Sequence, residues 1–592
     1  MEHNPARLAS PVMRARLWYV LLLLVFGVFM IRLFYLQVIR HDYYVKLAAN
    51  SQFKEYEVQA PRGTISAHLG DKTVPLVLNQ KLFVLYADPT LVKKPDVAAE
   101  KIQRAIGGNT DDIEKLLRTK DTRYVIVKKK LTPEQSEKVL AYKLPGVGTQ
   151  QVNYRTYPQG SLAAQTLGFV NDEGKGNYGV EGAYNSQLAG KPGELKAVTD
   201  INGVPLAANS ENLSVAPVAG EDLTLTLDMG MQAGLEQILA AQQAKLKAKQ
   251  LNAVIMDPNT GAIKAMANIP SFDPAKYQEV DDASLFQNGV YTNAIEPGSV
   301  MKPLTAAAAL DTGAVNANTT YFDPAQWVID GFTIKNIEED GGSGTQSVKT
   351  ILNLSLNTGA TWLLMQMGGS GNDINTKGRT TWYNYLTDHY QFGKVTNPEL
   401  GYQAEGAVKG PKDDGAAIDL TYANMTFGQA MTASALQMAG ALSATVNGGT
   451  YYQPYLVDQK TGGDGKAVTT EPKAVKSGVV SQATSNALIP MMEYTVKQHY
   501  LAGAPYLNFG SQYSVGGKTG TAQIPKNGGG YKEDDFNGTY VGFVGGDKPQ
   551  YVIAVYAIEP QVKGYAGSQA GQPIFGDIAH MLINNFGVAP RS

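Results

Sequence analysis

One run near the N-terminus constrains this chain more than any other: "LWYVLLLLVFGVFMIRLFYLQVI", Leu17 to Ile39. As a helix, a stretch this long and apolar crosses the roughly 30 Å hydrocarbon core of a bilayer. Trp18 and Tyr19 stand at one rim and Tyr35 near the other, where amphipathic rings belong. A secretory signal would have a shorter apolar core followed by small residues. Here "IRLFYLQVIRHDYY" stays bulky, which predicts an anchor that is not cleaved. Arg7, Arg14 and Arg16 precede the span, and Arg40, Lys46 and Lys54 follow it, so the positive-inside count is nearly balanced. The count leans toward a cytoplasmic N-terminus and the short tail, residues 1–16, strengthens that expectation, with the large remainder expected on the outer or periplasmic side of a single-pass membrane protein. Arg32, inside the run, is expected to snorkel to the interface.

That remainder must be globular. The chain has 592 residues, 43% apolar and 18% charged, enough for more than one core. Its net charge of −2 excludes the basic face that a nucleic-acid partner requires. There is no cysteine, hence no disulfide, thiol nucleophile or thiolate metal site. Six histidines lie scattered, with no HExxH and no close pair, so neither a metal nor a cofactor is expected, and no histidine is at hand for a locally encoded serine triad.

From about residue 40 to 222, strand-like runs ("KEYEVQAPRGTISA", "VPLVL", "LFVLYADP", "RYVIVKKK") alternate with helical ones ("VAAEKIQRAI", "TPEQSEKVLAYKL"), an α+β region without catalytic spacing. Lys128 to Lys130 read as a solvated strand edge. A second domain, residues 223–592, opens with a strand, Asp228 as N-cap and a long helix. The hairpin "LNAVIMDPNTGAIKAMANIP" follows. Three late strands, "SVGGKTGTAQI", "GTYVGFVGG" and "QYVIAVYAIEP", precede a terminal helix around "FGDIAHMLINNF". Strands at both ends with helices between predict an antiparallel sheet whose first and last strands meet.

Chemistry enters at "EPGSVMKPLTAAAAL". Pro297 and Gly298 make a turn, Pro303 is tolerated only at a helix start, and the alanines favour helix. Ser299 therefore sits at the positive end of a helix dipole with Lys302 on the same face, one turn along. Further on, "SLN" places Ser355 and Asn357 after a helix, and "KTGT", Lys518 to Thr521, lies on a strand after two glycines. Each pattern has decoys: "SQFK" at Ser51, "SEN" at Ser210, "SGN" at Ser370 and "KTG" at Lys460, the last expected at a polar hairpin tip. A phosphate-binding loop around "GGKT" is excluded because position 512 is glutamine, not glycine.

In this order, S-x-x-K, S-x-N and K-T-G form the signature of serine acyltransferases of the penicillin-binding and β-lactamase type. The nucleophile segment "NAIEPGSVMKPLTAAAALDTG" and the strand "GGKTGTAQ" resemble those of class B penicillin-binding proteins. "APRGTIS", "RTYPQGSLAAQTLGFV" and "GNYGVEGAYNSQLAGKPGE" resemble their pedestal, or dimerisation-type, domain, and "FGQAMTASALQMAGALSATVNGG" their helix between the second and third motifs. The chain departs from the pattern at Ala67, which touches pedestal packing, and at Leu356, which is expected to reshape the site wall. The resemblance implies a transmembrane helix (17–39), an elongated pedestal (40–222) and a transpeptidase domain (223–592) built on a five-stranded antiparallel sheet.

It also implies the chemistry. Ser299 attacks a D-Ala-D-Ala peptide bond and carries the acyl group. Lys302 serves as base, its ordinary pKa of about 10.4 lowered by burial and by the neighbouring cation of Lys518. The two amines titrate as a pair, which leaves open which one is neutral. Ser355 relays the proton, and Asn357 holds the substrate amide. Thr519, Gly520 and Thr521 form the carboxylate-binding strand with Lys518, and the backbone amides of Ser299 and Thr521 form the oxyanion hole. Expected partners are peptidoglycan stem peptides on a lipid-linked polymer, β-lactams as covalent inhibitors, and a polytopic glycosyltransferase with other division or elongation proteins. A soluble β-lactamase has no use for anchor and pedestal. A glycosyltransferase module and a decayed scaffold fit the residues less well. "NPELGYQAEG" leans toward a septal over a sidewall enzyme. Glu296 is read as shaping its turn.

Overall fold

The computed structural model describes residues 11–44, 53–198, 213–337, 343–369, 371–412, 415, 417–526 and 530–592. The chain divides into two compact units, residues 1–61 with 190–218 and residues 62–189 with 219–592. In the first, helix α1 (Pro11–Phe34) continues through a π-turn at Tyr35–Ile39. The segment Val12–Ile39 has a mean hydropathy of 2.4 and is long and apolar enough to cross a membrane. The Arg32 guanidinium lies 5.6 Å from the centre of the Tyr35 ring, a cation–π contact that suits a snorkelling side chain. The same unit holds a small antiparallel sheet in which Gly193–Val198 pairs with both Phe53–Val58 and Leu213–Val215.

The second unit begins with a sheet in the order Ala467–Thr469, Val457–Thr461, Asp222–Asp228, Ile65–Leu69, Lys72–Ala87, Val125–Leu131, with Val147–Thr156 also paired to the long strand, along Leu78 to Ala87. Strands from both sides of residue 223 thus share one sheet. Val125–Leu131 is a terminal strand of that order, as the lysine run suggested. Its lysines are engaged nonetheless: Lys128 Nζ donates to the Ile106 carbonyl and Lys129 pairs with Asp172. "RGTI" and "GVEG" meet in a buried charge cluster. The Glu181 carboxylate, fully buried, accepts from Arg62 Nε at 2.8 Å and Arg155 Nε at 2.7 Å, and the two guanidiniums also reach Asn185 and Asn79. Ala67 is fully buried in the larger hydrophobic core, a packing position as expected.

The transpeptidase part is built on strands β1 (Gln250–Met256), β2 (Ile263–Ile269), β3 (Ser514–Pro525), β4 (Tyr531–Gly545) and β5 (Pro549–Ile558), in the order β2-β1-β5-β4-β3, all antiparallel. First and last strands meet as β1 and β5. Strand side chains alternate between two faces, and both faces are buried. Leu251, Ala253 and Ile255 pack with helices α2 (Met229–Leu246) and, near the C-terminus, Gln572–Asn585, whereas Val254 and Met256 join the larger core on the other side. Asp228 caps α2, its carboxylate accepting from the Met231 amide at 2.9 Å. The larger core encloses α3 (Lys302–Asp311), whose Ala306, Ala307, Ala308 and Ala309 are fully buried. A helix apolar all round belongs inside a core, and alanine lets its neighbours approach closely.

Replacing Glu181 by alanine leaves two guanidiniums buried without their carboxylate and should cost about 3–5 kcal/mol. Denaturant unfolding of the detergent-solubilised chain measures this, and a loss below ~1 kcal/mol would show that water reaches the cluster.

Candidate active site

Proline and glycine set the first wall. Gly298 has φ +70°, and an added Cβ would lie 2.9 Å from the Thr521 carbonyl oxygen, so only glycine fits there. Gly298 opens a 3-10 turn, Gly298–Met301, that feeds α3 with Pro303 in the first turn. Ser299 thus lies one tight turn ahead of the α-helix proper, which begins at Lys302. The turn brings the Ser299 hydroxyl to 2.9 Å from Lys302 Nζ. Lys302 is only 1% exposed.

The second wall is a corner between two helices. After α4 (Val348–Asn353) comes Ser355 with φ +53°, a left-handed conformation that costs a non-glycine residue about 1–2 kcal/mol. This reversal turns both the Ser355 carbonyl and its hydroxyl toward Lys302, whose Nζ donates to the carbonyl and lies 3.1 Å from the hydroxyl. Asn357 opens α5 (Asn357–Gly368), and its Oδ1 accepts from Lys302 Nζ at 2.8 Å while its Nδ2 donates to the Lys335 carbonyl. The corner is held from beneath by buried Asp323, which accepts from Thr358 Oγ1 at 2.6 Å and Tyr321 OH at 2.7 Å. Leu356 does not reshape the site wall as expected. It is fully buried and faces the core, because the left-handed turn at Ser355 reverses the side-chain direction of the next residue.

The third wall is β3, the sheet's terminal strand. At Gly520 a Cβ would lie 2.2 Å from Thr539 Oγ1 and 2.7 Å from the Pro297 carbonyl oxygen. The missing side chain lets the strand lie directly on the Ser299 turn. Thr539 Oγ1 then donates to the Pro297 carbonyl at 2.7 Å, and Thr521 Oγ1 accepts from the Gly567 amide at 2.9 Å. Lys518, 1% exposed, donates to Thr519 Oγ1 and the Thr519 carbonyl. Ser299, Ser355, Lys518, Thr519 and Thr521 all line one cleft of about 330 Å³. Asn357 acts on that cleft through Lys302, and Gly520 by permitting the close approach.

Several residues of the cleft were not legible in the sequence, His499 and Gln572 among them. His499 and Gln572 line it beyond Lys518, so a histidine is at hand after all. It does not resemble a triad base: burial and the charge of Lys518 lower its pKa from 6.5 to about 4. Glu296 shapes its turn as expected, accepting from the Ala430 amide and Tyr531 OH, both at 3.0 Å, and burial raises its pKa. Among the decoys, Lys460 sits in strand Val457–Thr461 of the other sheet, over the Tyr184 ring, and not at the hairpin tip. The reason is the pairing of that strand with Asp222–Asp228. Ser51, Ser210 and Ser370 lie outside the described residues.

Comparison with known proteins agrees with this geometry. Residues 251–580 match the penicillin binding protein transpeptidase domain, and residues 57–225 the penicillin-binding protein dimerisation domain. The chain is a class B penicillin-binding protein. Stage V sporulation protein D of Bacillus subtilis is 29% identical over 99% of this chain and 88% of that protein. The Escherichia coli protein named peptidoglycan D,D-transpeptidase FtsI is 25% identical over 94% of this chain and 89% of its own length. The crystal structure of penicillin binding protein 2X from Streptococcus thermophilus shares the fold, with a TM-score of 0.72, 23% identity, and coverage of 89% of this chain and 79% of that one. This penicillin-binding protein is a serine-type transpeptidase, with an N-terminal apolar helix that fits membrane anchoring.

Two outcomes follow from the geometry. Gly520→Ala should destabilise the chain by about 1–3 kcal/mol and slow acylation by a β-lactam roughly a hundredfold, read by thermal unfolding and by rapid-mixing kinetics. His499, neutral in the folded protein down to about pH 4, binds its proton in the unfolded chain near pH 6.5. Its contribution to stability is therefore complete above pH 6.5 and is lost as pH falls from there toward 4, at about 1.4 kcal/mol per unit. The stability of wild type relative to His499→Gln, which cannot titrate, should fall across that window as the pH is lowered.

Proposed function

We propose that this penicillin-binding protein cross-links peptidoglycan stem peptides through an acyl-enzyme on Ser299, with Lys302 as its base. The observation that carries the reading is the set of oxygens around one buried amine: Ser299 Oγ, Ser355 Oγ, the Ser355 carbonyl and Asn357 Oδ1 all face Lys302 Nζ. A neutral amine has two N–H donors and one lone pair. The carbonyl of Ser355 and Oδ1 of Asn357 accept the donors, which leaves the lone pair for the Ser299 proton.

In the forward step Ser299 Oγ attacks the carbonyl carbon of the penultimate D-alanine while its proton passes to Lys302. The oxyanion is held by the backbone amides of Ser299 and Thr521. Ser355 then hands a proton from Lys302 to the leaving nitrogen, the C–N bond breaks, and the terminal D-alanine departs. Thr519, Thr521 and Lys518 face the region where its carboxylate lies. An amine of a second stem peptide attacks the ester, gives up its proton by the reverse route, and frees Ser299. Penicillins enter the same path and stay as stable esters.

A septal role is favoured within the class. It is supported by the likeness to FtsI and by the "NPELGYQAEG" segment, and the sidewall role is the alternative. Arg7, Arg14 and Arg16 ahead of the span favour an N-terminus in the cytoplasm and the catalytic unit outside. Such an enzyme works beside a polytopic glycosyltransferase that supplies the glycan.

Fluorescent penicillin should label the wild-type chain and fail to label Ser299→Ala, and Lys302→Ala should slow labelling by about 10²–10⁴-fold. An ester lasting hours supports the transpeptidase, whereas turnover within seconds would make the protein a β-lactamase. A tagged copy at midcell supports the septal role; a lateral-wall pattern replaces it with the sidewall one.

A further inference from the structure

A second concavity adjoins the catalytic cleft, and at about 530 Å³ it is the larger of the two. Helix α6 (Gln482–Leu501), which packs against both β3 and α4, is shared between them. Tyr494, Lys497 and Tyr500 of that helix line the pocket, whereas His499 and, just past the helix end, Ala502 line the cleft. The 3-10 turn Pro505–Leu507 is divided in the same way, with Tyr506 in the cleft and Leu507 in the pocket. On β3, Val515 lines the pocket, and Lys518, Thr519 and Thr521 line the cleft. The acyl-transfer steps make no use of this pocket.

Its lining combines rings with polar groups. The aliphatic side chains Val496, Leu507 and Val515 are buried and belong, with Phe509, to the core that covers one face of the five-stranded sheet. Three half-buried tyrosines share the lining, and each ring is held in place. Lys349 Nζ of α4 lies 4.5 Å from the centre of the Tyr494 ring, and Tyr500 and Tyr513 pack against that core. Glu493 and Arg591, which also line the pocket, pair with each other, and Ser514 Oγ donates to the same carboxylate. Exposed Lys497 and Asn508 add N–H donors. Fixed rings beside a few polar groups form a site prepared before its ligand arrives. An apolar peptide would leave the ammonium and the amide unmatched. A pyranose suits both parts, since its C–H faces lie flat on aromatic rings and its hydroxyl and acetamido oxygens accept from donors.

We propose that this pocket binds the glycan strand of the polymer whose peptides are cross-linked, with Tyr494, Tyr500 and Tyr513 against the sugar faces and Lys497 and Asn508 on the polar edge. The inference rests on the reading of the chain as a peptidoglycan transpeptidase and deepens it by assigning the sugar part of the substrate. Reach agrees with it. A helix with its side chains is about 10–12 Å thick, and an extended peptide spans about 3.3–3.6 Å per residue. A peptide of four or five residues attached to a sugar in the pocket is therefore long enough to span α6 and enter the cleft. Holding the sugar raises the effective concentration of the peptide end beside Ser299. A penicillin carries no sugar and gains nothing from the pocket.

The test uses the full detergent-solubilised chain. Peptide-free glycan strands, titrated and followed by saturation-transfer NMR, should bind wild type and bind the double variant Tyr494→Ala/Lys497→Ala at least tenfold more weakly. D-Alanine release, with a D-amino acid supplied as acceptor amine, is compared for a peptide ending in D-Ala-D-Ala, free or attached to a glycan tetrasaccharide. Wild type should favour the attached peptide tenfold or more in kcat/KM, chiefly through KM. The double variant should lose that preference, while its rates with free peptide and with benzylpenicillin stay within about twofold of wild type. If the double variant does not fold, Lys497→Glu, a change at an exposed position, should weaken glycan binding and the preference at least threefold. Wild type that binds no glycan, or folded variants that keep both the binding and the preference, would overturn the proposal. Failure of the catalytic reading looks different: wild type then takes no benzylpenicillin, whatever the glycan titration shows. Wild type that is acylated yet binds no glycan keeps that reading and removes only the role of the pocket.

Discussion

Everything in this active site depends on one buried amine and the oxygens that hold it. Lys302 is 1% exposed, and its Nζ makes hydrogen bonds to the Ser299 turn and to the corner between α4 and α5. A lysine side chain carries much rotamer freedom, and fixing it costs entropy unless several partners share the task. Here the partners are backbone and short side chains on rigid elements, so the geometry is set before substrate arrives. Removing any one of them leaves a buried polar group short of a partner, which is costly in a dry interior. The same contacts therefore serve both stability and reactivity.

Close approach is the second constraint. β3 can reach the Ser299 turn only because Gly520 and Gly298 carry no side chain, and Thr539 then ties the next strand to the Pro297 carbonyl. The five-stranded sheet, buried on both faces, holds the strand's position. The all-buried alanine face of α3 holds the position of the turn. Catalytic groups placed on a strand and at a helix start are held more firmly than groups on loops. In the same unit, the Arg62–Glu181–Arg155 cluster is a structural counterpart, in which two guanidiniums share one buried carboxylate and also donate to Asn185 and Asn79.

Local periodicity made much of this legible. The membrane-length run, the Asp228 cap, the hairpin of β1 and β2, and the one-turn spacing of Ser299 and Lys302 are all short-range features, and the structure has them where the residues placed them. What escaped depends on contacts distant in sequence or on backbone states that residue type does not announce. Val147–Thr156 is a strand of half-exposed polar residues with no apolar alternation, and only its pairing with Lys72–Ala87 makes it one. Leu356 faces inward because Ser355 adopts a left-handed φ, which a serine seldom does. Lys460 joins a strand through partners more than two hundred residues away. His499 sits in a polar stretch, and its place in the cleft follows from α4 and the helices Gln482–Leu501 and Gln572–Asn585 meeting there.

The central claim is that Ser299, activated by Lys302 within the cleft lined by Ser355 and Lys518, is the atom that takes the acyl group. Mapping the adduct by peptide mass spectrometry after penicillin treatment tests it most directly. The account requires one intact penicilloyl mass, carried by the peptide that contains Ser299. An adduct on Ser355 or on any other peptide, or none in a chain that is folded, would contradict it.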